Sequence, residues 1–271
     1  MTSYLVTGAS RGIGLEFIRQ LSQDSKNTVI ALVRNAAKSV YLQEVSDLPN
    51  VHVVEGDVTS VETMQKAAEE VAAITGGSLD YIIENAGGIY GSDTSLADPS
   101  NDLASLVNEL KGNFELNAVS GVITTNAFLP LLRKGKAKKI ILISSAIGDI
   151  QFTRTTGFAG NAPYGVGKAA LNFIAQKYAV ELADEGFVVL ALSPGLVDTS
   201  STKEGEQTQP SEEDLKKFQA IFDQWVKSQP DWDRKPLTVQ DSVSKQLKVI
   251  SAVGPNDSGK LLSQNGNTAW L

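Results

Sequence analysis

The stretch YLVTGASRGIG, residues 4–14, joins a short apolar run to a glycine-rich turn and the start of an amphipathic segment. The run predicts a first β-strand, and LEFIRQLS at residues 15–22 predicts the helix that follows it. A glycine turn between a strand and a helix is typical of a phosphate site, because main-chain N–H groups can approach the phosphate closely there and the helix N-terminus is partly positive. The spacing is G-x-x-x-G-x-G rather than G-x-G-x-x-G. We therefore predict nucleotide binding by the turn that contains Gly8, Gly12 and Gly14.

Apolar runs of strand length alternate with helical patterns along the rest of the chain. Further strands are predicted at residues 27–35, 51–58, 79–88, 138–148, 187–195 and 259–264. Further helices are predicted at 60–75, 101–132 (broken near Gly112 and Pro130), 164–183, 211–226 and 239–252. Near-continuous Val/Ile/Leu strands, each followed by a helix, indicate a parallel sheet covered on both faces. We predict an α/β fold with a single doubly wound, Rossmann-type sheet, forming one domain over residues 1–271.

Composition excludes several classes of protein. The chain of 271 residues has a net charge of −7, so nucleic acid is not an expected partner. It contains no cysteine and one histidine, His52, which excludes disulfides, thiolate metal sites and histidine clusters, and no metal is predicted. The apolar runs are too short to span a bilayer, and the first residues lack the pattern of a signal peptide. We predict a cytoplasmic protein with no membrane partner.

Residues 199–236 interrupt the alternation of strands and helices. They are rich in Ser, Thr, Glu, Gln and Pro and contain one amphipathic helix. This segment is either a lid over a substrate or an insertion packed permanently on the body. The substrate pocket is expected among residues 89–96, 146–158 and 199–236. The aromatic residues there either line an apolar pocket or only pack the lid: Phe152, Phe158, Phe218, Phe222, Trp225 and Trp232.

The end of the second predicted strand bears on the choice of dinucleotide. An acidic residue there binds the ribose 2′-hydroxyl of NAD, whereas an arginine accommodates the 2′-phosphate of NADP. This chain has Arg34 with no acid beside it in sequence, and Arg11 in the glycine turn can reach the same phosphate. We predict NADP(H) as the cofactor; the alternative is that both arginines are solvated surface residues.

Seven motifs together resemble the short-chain dehydrogenase/reductase family. In order along the chain they are TGASRGIG, GDV, NAG, Asn117 within ELNAVSG, ISSAIG, YGVGK and SPGLVDT. The resemblance covers nearly the whole chain, and within the family it is strongest to the small cytosolic carbonyl reductases related to sniffer and C-factor and to fungal ketoreductases. Two departures stand out: Glu84 replaces an asparagine that often precedes NAG, and the stretch between residues 145 and 164 is long.

The resemblance implies roles for individual residues. Ser10 and Ile13 would contact the cofactor from the glycine turn. Asp57 and Val58 would lie beside the adenine, and Asn85, Ala86 and Gly87 would line the cofactor groove. Pro194, Gly195, Val197 and Thr199 would face the nicotinamide. The catalytic tetrad would be Asn117, Ser145, Tyr164 and Lys168. A homodimer or homotetramer is the usual assembly, through helices at 101–132 and 164–183.

Residues Tyr164 and Lys168 suit the proton transfer that carbonyl reduction requires. A free tyrosine has a pKa of about 10, and lowering it by two or three units requires roughly 3–4 kcal/mol. A lysine ammonium about 4 Å away stabilises the phenolate by about 4 kcal/mol at an effective dielectric constant near 20. Because i,i+4 spacing puts the two side chains on one helix face, we expect Lys168 to lower the pKa of Tyr164. The predicted function is hydride transfer between NADP(H) and a carbonyl or secondary alcohol; the alternative is an NADP-binding redox sensor with little turnover.

Overall fold

A seven-stranded parallel sheet forms the centre of the protein, in the order β3-β2-β1-β4-β5-β6-β9. The computed structural model describes residues 1–91, 95–98, 100–202 and 212–271, without the side chains of 212–215, 217 and 218. The strands are β1 (Thr2–Thr7), β2 (Asn27–Val33), β3 (Val51–Glu55), β4 (Tyr81–Glu84), β5 (Lys139–Ile143), β6 (Val188–Ser193), β7 (Val197–Asp198), β8 (Leu237–Thr238) and β9 (Leu261–Ser263). The order reverses between β1 and β4, which makes the sheet doubly wound, as predicted.

Helices cover both faces of this sheet. They are α1 (Gly12–Leu21), α2 (Gln43–Ser46), α3 (Val61–Thr75), α4 (Leu103–Phe114), α5 (Ser120–Leu132), α6 (Ile150–Thr156), α7 (Ala162–Glu181), α8 (Glu212–Trp225) and α9 (Val239–Ala252). Neighbouring residues of a strand face opposite layers: Leu5 belongs to the core shared with α3, α5 and α7, and Val6 to the core shared with α1 and α9. Within the described residues, no helix combines the length and apolar character that crossing a membrane requires.

The long helical region predicted at 101–132 is interrupted elsewhere than expected. The break is a π-helical turn at Glu115–Val119, between α4 and α5, rather than at Gly112. Pro130 lies inside α5, which continues to Leu132, so this proline does not end the helix. The π-turn contains Asn117, and π-turns are frequently found at functional sites.

Helix α6 was not predicted, since its seven residues are too few to show a clear periodicity. It is set by its two ends: the Asp149 side chain accepts a 2.6 Å hydrogen bond from the Phe152 N–H, and Gly157 is left-handed with a φ of 69°. The helix extends the rim between Ser145 and Tyr164, the stretch that is long in this chain.

The segment at 199–236 is anchored at its base by a two-stranded parallel sheet, in which Val197 pairs with Leu237. Residues 203–211, the rim residues 92–94 and the Phe218 side chain lie outside the described part of the structure. In the described part, Trp225 of α8 is 9% exposed and packs on α6 and the loop after it. The body and this segment therefore share a small third core.

Candidate active site

The glycine turn has a backbone that only glycine fits well. Gly8 and Gly12 have φ values of 65° and 57°, in the left-handed region. A Cβ on Gly14 would lie 2.3 Å from the Gly8 carbonyl oxygen. The Asn85 amide fixes the turn from β4 by donating to the carbonyl oxygens of Thr7 (3.1 Å) and Gly8 (3.3 Å). The turn is thus held close to the carboxyl ends of β1 and β4, where ligands bind in such sheets.

The N-terminus of α1 meets a residue that sequence reasoning missed. The Gly12 N–H donates a 2.9 Å hydrogen bond to the Thr202 hydroxyl, which is buried. A Cβ on Gly12 would lie 3.6 Å from the Thr199 methyl group, so the predicted nicotinamide-facing Thr199 also reaches this turn. Arg11 is exposed, Ser10 is partly exposed, and Ile13 packs against the core below. No motif of the sequence pointed to Thr202, which is 190 residues away from Gly12 along the chain.

Arg34 is exposed at the end of β2, as a phosphate-binding arginine needs to be. It is close enough to Asp57 to act on it: hydrogen bonds from Thr59 hold the pKa of Asp57 below its usual value, and the Arg34 charge lowers that pKa further. A second acid is nearby, because Glu55 accepts a 2.7 Å hydrogen bond from the Ala36 N–H. The structure therefore places the Asp57 carboxylate close to Arg34, and a second carboxylate, that of Glu55, on the main chain two residues after it.

The predicted groove residues at the end of β4 come together with the tetrad. The Ala86 N–H donates to the Thr7 hydroxyl at 2.9 Å, which joins the loop to β1. A Cβ on Gly87 would lie 2.9 Å from Asn117 Oδ1 and 3.3 Å from Lys168 Nζ. Gly87 is therefore the point at which the groove meets the candidate catalytic side chains. Val58, by contrast, is buried beside the groove and is 6% exposed.

Two adjacent serines at the end of β5 point in different directions. The Ser145 hydroxyl lies close enough to the Tyr164 phenol to lower its pKa by hydrogen bonding. The Ser144 hydroxyl instead donates a 2.5 Å hydrogen bond to Asn172, whose amide in turn donates to the Gly148 carbonyl. The geometry therefore selects Ser145, the residue predicted, as the partner of Tyr164.

Lys168 lies beneath Tyr164 on α7 and is 4% exposed. Its ammonium donates a 2.8 Å hydrogen bond to the Ile143 carbonyl oxygen and lies 5.7 Å from the centroid of the Tyr164 ring. Burial lowers the pKa of Lys168 to about 8. Tyr164 and Lys168 thus share a helix face, as the i,i+4 spacing predicted.

The expected downward shift of the Tyr164 pKa is wrong in direction. Burial of the phenol raises its pKa to about 12, and the hydrogen bond with Ser145 opposes only part of that rise. The Lys168 ammonium is directed toward Ile143, and its own charge is disfavoured by burial. Among the groups of the protein itself, desolvation therefore outweighs the attraction between ammonium and phenolate on which the sequence-based expectation depended.

Asn117 is fixed in the π-turn by the loop after β4. Its amide nitrogen donates to the carbonyl oxygens of Gly88 (2.8 Å) and Asn113 (3.1 Å), and its Oδ1 accepts a 3.0 Å bond from the Gly88 N–H. Asn117 is 2% exposed. The side chain therefore ties the groove loop to the helices that carry the tetrad.

The segment predicted to face the nicotinamide begins in a turn whose backbone requires glycine. Gly195 has a φ of 82°, and the Ser242 hydroxyl donates a 2.7 Å hydrogen bond to the Pro194 carbonyl oxygen. A Cβ on Gly195 would lie 2.9 Å from the Gln264 amide, a buried side chain that sequence reasoning missed. Val197 is in β7, so the turn, the small sheet and Thr199 form one continuous edge beside the glycine turn.

The aromatic residues proposed as a substrate wall pack against one another. Phe152 and Phe158, 2% and 6% exposed, meet the Trp225 ring edge-on at centroid distances of 5.9 and 5.4 Å. Phe222 meets Trp232 at 5.2 Å. Of the two alternatives, the structure favours packing of α8 on the body over an exposed aromatic wall.

Comparison with known proteins agrees with this geometry. The model of the family described as short chain dehydrogenase matches residues 3–210. The chain belongs to the short-chain dehydrogenase/reductase family. It is 39% identical over 274 residues to the short-chain dehydrogenase/reductase atnB of Arthrinium sp, with all of both chains covered.

Solved structures of carbonyl reductases share the fold. The NADPH-bound carbonyl reductase from chicken fatty liver is similar with a TM-score of 0.76 and 28% identity, covering 98% of this chain and 93% of that one. The carbonyl reductase Sniffer of D. melanogaster has the same TM-score at 23% identity, with 98% of each chain covered, which shows the fold alone. The resemblance stated from the sequence motifs is therefore confirmed, and the protein is an oxidoreductase of this family.

Proposed function

We propose that the protein is an NADP(H)-dependent carbonyl reductase that reduces an apolar ketone or aldehyde, with Tyr164 as the general acid. The observation that carries the proposal is that the Tyr164 phenol lies near both the Ser145 hydroxyl, which acts on its pKa, and the buried ammonium of Lys168, 5.7 Å from the centroid of its ring. The three side chains lie at the carboxyl edge of the sheet, next to the glycine turn. A protein that only senses a cofactor has no chemical need for this arrangement.

The residues around the groove fit a dinucleotide. The glycine turn packs closely against Asn85 and Ala86 of the neighbouring loop and leads into the N-terminus of α1, where a phosphate is attracted. The exposed Arg34, with Arg11 in the turn, suits the 2′-phosphate of NADP. Asn85, Ala86 and Gly87 would line the groove, with Asp57 and Val58 beside the adenine and the 194–199 edge beside the nicotinamide. The chicken relative, described as NADPH bound, supports the same choice.

Bound NADPH would supply the hydride, and the protein's own residues would handle the proton and the oxygen. With a pKa of about 12, the Tyr164 phenol is protonated throughout the neutral range, which is the form that donates a proton to a developing alkoxide. Ser145 would donate a hydrogen bond to the same oxygen and stabilise its charge. Lys168 would stabilise the tyrosinate that forms when the proton is donated. Asn117 would hold the loop after β4 in place through its hydrogen bonds to Gly88.

The apolar character of the proposed substrate rests on the residues that come after Ser145. Ala146 is buried in the third core, with Ile147 and Leu196 packed against it. Ile147 is only partly buried and lies two residues after Ser145, so a carbonyl compound held at Ser145 and Tyr164 would lie near an apolar side chain. Because Phe152 and Phe158 are used in packing, they give no support to a particular aromatic substrate. Segment 199–236 is proposed as the substrate lid of a single domain.

Assembly and location are proposed with the same function. Leu103 of α4 and Phe173 and Val180 of α7 are 72%, 66% and 67% exposed, which supports a homodimer or homotetramer through these helices. The absence of cysteine in the sequence fits a cytoplasmic protein, which has no use for disulfides.

The proposed function is tested by the loss of NADPH absorbance with a panel of aldehydes, ketones and diketones. We expect turnover with at least one apolar carbonyl, and a higher kcat/KM with NADPH than with NADH. Tight NADPH binding without turnover across the panel would favour the redox-sensing alternative. Equal kcat/KM with the two cofactors would remove the argument from Arg34.

A further inference from the structure

The Glu84 carboxyl is buried in the interior at the end of β4 and is 6% exposed as a residue. Its Oε1 accepts a 2.6 Å hydrogen bond from the Thr125 hydroxyl of α5. Its Oε2 has no hydrogen-bond partner among the described residues and points toward Gly121, where a Cβ would lie 3.3 Å away. A buried carboxyl oxygen without a partner is costly, so it indicates a ligand that satisfies it.

A small cavity adjoins this oxygen. It offers about 10 Å³ to the centre of a water molecule, which is room for about one water. Its walls include polar groups from several elements and two of the predicted cofactor-binding residues, Val58 and Ala86. The lining residues are Thr7, Val58, Glu84, Ala86, Asn117, Ser120, Gly121, Thr124 and Leu171. The cavity is polar enough to hold water and lies directly behind the groove.

We propose that Glu84 holds one water molecule in this cavity as a neutral carboxylic acid and, through that water, positions Asn117 and the groove at Thr7 and Ala86. Glu84 is a positioning residue in this assignment, since it touches neither the proposed cofactor nor the substrate. The part of the proposal that concerns catalysis rests on the reductase function proposed above. The part that concerns the proton and the water does not.

The surroundings of Glu84 favour the neutral form. Helix α7 presents two titratable groups on this side of the sheet: the Tyr178 phenol, whose pKa is raised by its own burial and further by the Glu84 charge, and the buried Lys168. The other elements contribute Thr7 from β1, Leu142 from β5 and the threonines of α5, none of which titrates. Burial raises the pKa of Glu84 to about 8, against the smaller opposite effect of Thr125.

The direct test is the infrared spectrum of the protein in D₂O, compared between wild type and Glu84→Gln. We expect wild type at pH 6.5 to show a protonated-carboxyl band that the variant lacks and that disappears by pH 9.5. Glu62→Gln, which removes an exposed carboxylate, is the control and should keep the band. If wild type at pH 6.5 shows no band that depends on Glu84, the assignment is overturned.

Thermal unfolding gives a second test without turnover. The folded state keeps the Glu84 proton between the ordinary pKa of 4.5 and the folded value of about 8, so this group's contribution to stability is complete below pH 4.5 and is lost as pH rises to 8. We therefore expect the Tm of Glu84→Gln minus that of wild type to increase from pH 5 to pH 8.5. A difference that stays constant over this range would contradict the proposal.

Catalysis tests the positioning role. Glu84→Gln keeps a side chain that can hydrogen-bond Thr125 and the water, and we expect its kcat/KM at pH 7 within about threefold of wild type, whereas Glu84→Leu should lose about tenfold or more. Wild-type activity in Glu84→Leu would overturn the positioning role. If Glu84→Leu does not fold, the infrared and Tm comparisons of Glu84→Gln with wild type still test whether Glu84 is protonated in the folded protein. A Glu84-dependent band in a protein without turnover would leave the proton assignment standing and reject the reductase.

Discussion

The Lys168 ammonium donates a 2.8 Å hydrogen bond to the carbonyl oxygen of Ile143, the last residue of β5. This contact links the helix that carries Tyr164 to the strand that leads into Ser145. It also explains how a lysine that is 4% exposed is tolerated in the interior, since a main-chain oxygen satisfies one of its protons. The remaining cost of burial appears in its pKa, which is lowered to about 8.

Replacement of Lys168 should therefore change stability in a pH-dependent way. The folded pKa of about 8 lies below the ordinary value of 10.5, so the unfolded chain binds more protons between these values. The cost of burying the charge is complete below pH 8 and is relieved as pH rises toward 10.5. We expect the Tm of Lys168→Met relative to wild type to be highest below pH 8 and to fall at higher pH. A Tm difference that does not change between pH 7 and pH 10 would contradict the assignment.

Replacement of the two serines after β5 should have different effects, on kcat for Ser145 and on stability for Ser144. Ser145→Ala removes the hydrogen bond to Tyr164 and the donor to the developing oxyanion, and we expect kcat to fall about 10²–10³-fold. Ser144→Ala removes the bond to Asn172 and should cost about 1 kcal/mol of stability with little change in kcat. Steady-state kinetics and denaturant titration of both variants check this. Similar losses of kcat in the two would refute the assignment of Ser145.

The glycine turn should not accept a methyl group at Gly14. A Cβ there would overlap the Gly8 carbonyl oxygen, so Gly14→Ala should lose roughly 1–3 kcal/mol of stability. NADPH binding should weaken about tenfold or more as the turn opens. Gly254→Ala is the control, because a Cβ at Gly254 meets no described atom within 4 Å. The checks are denaturant unfolding and NADPH fluorescence titration; tight NADPH binding by Gly14→Ala would contradict the proposed phosphate site.

Cofactor choice should depend on Arg34. Its exposed guanidinium is expected to contact the 2′-phosphate, and a hydrogen bond to a charged group contributes about 1.5–3 kcal/mol. We therefore expect Arg34→Ala to lower the ratio of kcat/KM for NADPH over NADH by about 10–100-fold. Arg133→Ala, which breaks an exposed ion pair with Glu185, should leave the ratio unchanged. An unchanged kcat/KM ratio in Arg34→Ala would show that Arg34 does not contact the 2′-phosphate of NADPH.

The sheet was predictable because its strands are continuous apolar runs, such as the TVIALV of β2, that only a sheet covered on both faces can bury. Features set by a few local contacts were not predictable. Helix α6 depends on the Asp149 cap, and the break in the long helix is a π-turn rather than a response to Pro130.

Within the site, the order of the motifs located the tetrad, but the pKa values of its side chains could be inferred only from the three-dimensional structure. The pair Tyr164 and Lys168 is adjacent as the spacing predicted, yet its pKa values are governed by burial, which the sequence does not show. Thr202 and Gln264 approach the glycine turn and Gly195 from distant parts of the chain, so no local pattern announced them. Glu84 was visible only as a departure from a motif, and its cavity only in the structure.

The most direct test of the proposed mechanism is the kcat of Tyr164→Phe beside that of Tyr178→Phe. Tyr178 lies on the same helix, and its hydroxyl accepts a 2.6 Å hydrogen bond from Asn126, so its loss should affect stability and leave kcat close to wild type. We predict that Tyr164→Phe lowers kcat by about 10²–10⁴-fold, with the Kd for NADPH within about threefold of wild type. Near wild-type turnover in Tyr164→Phe would contradict the central claim that this phenol donates the proton.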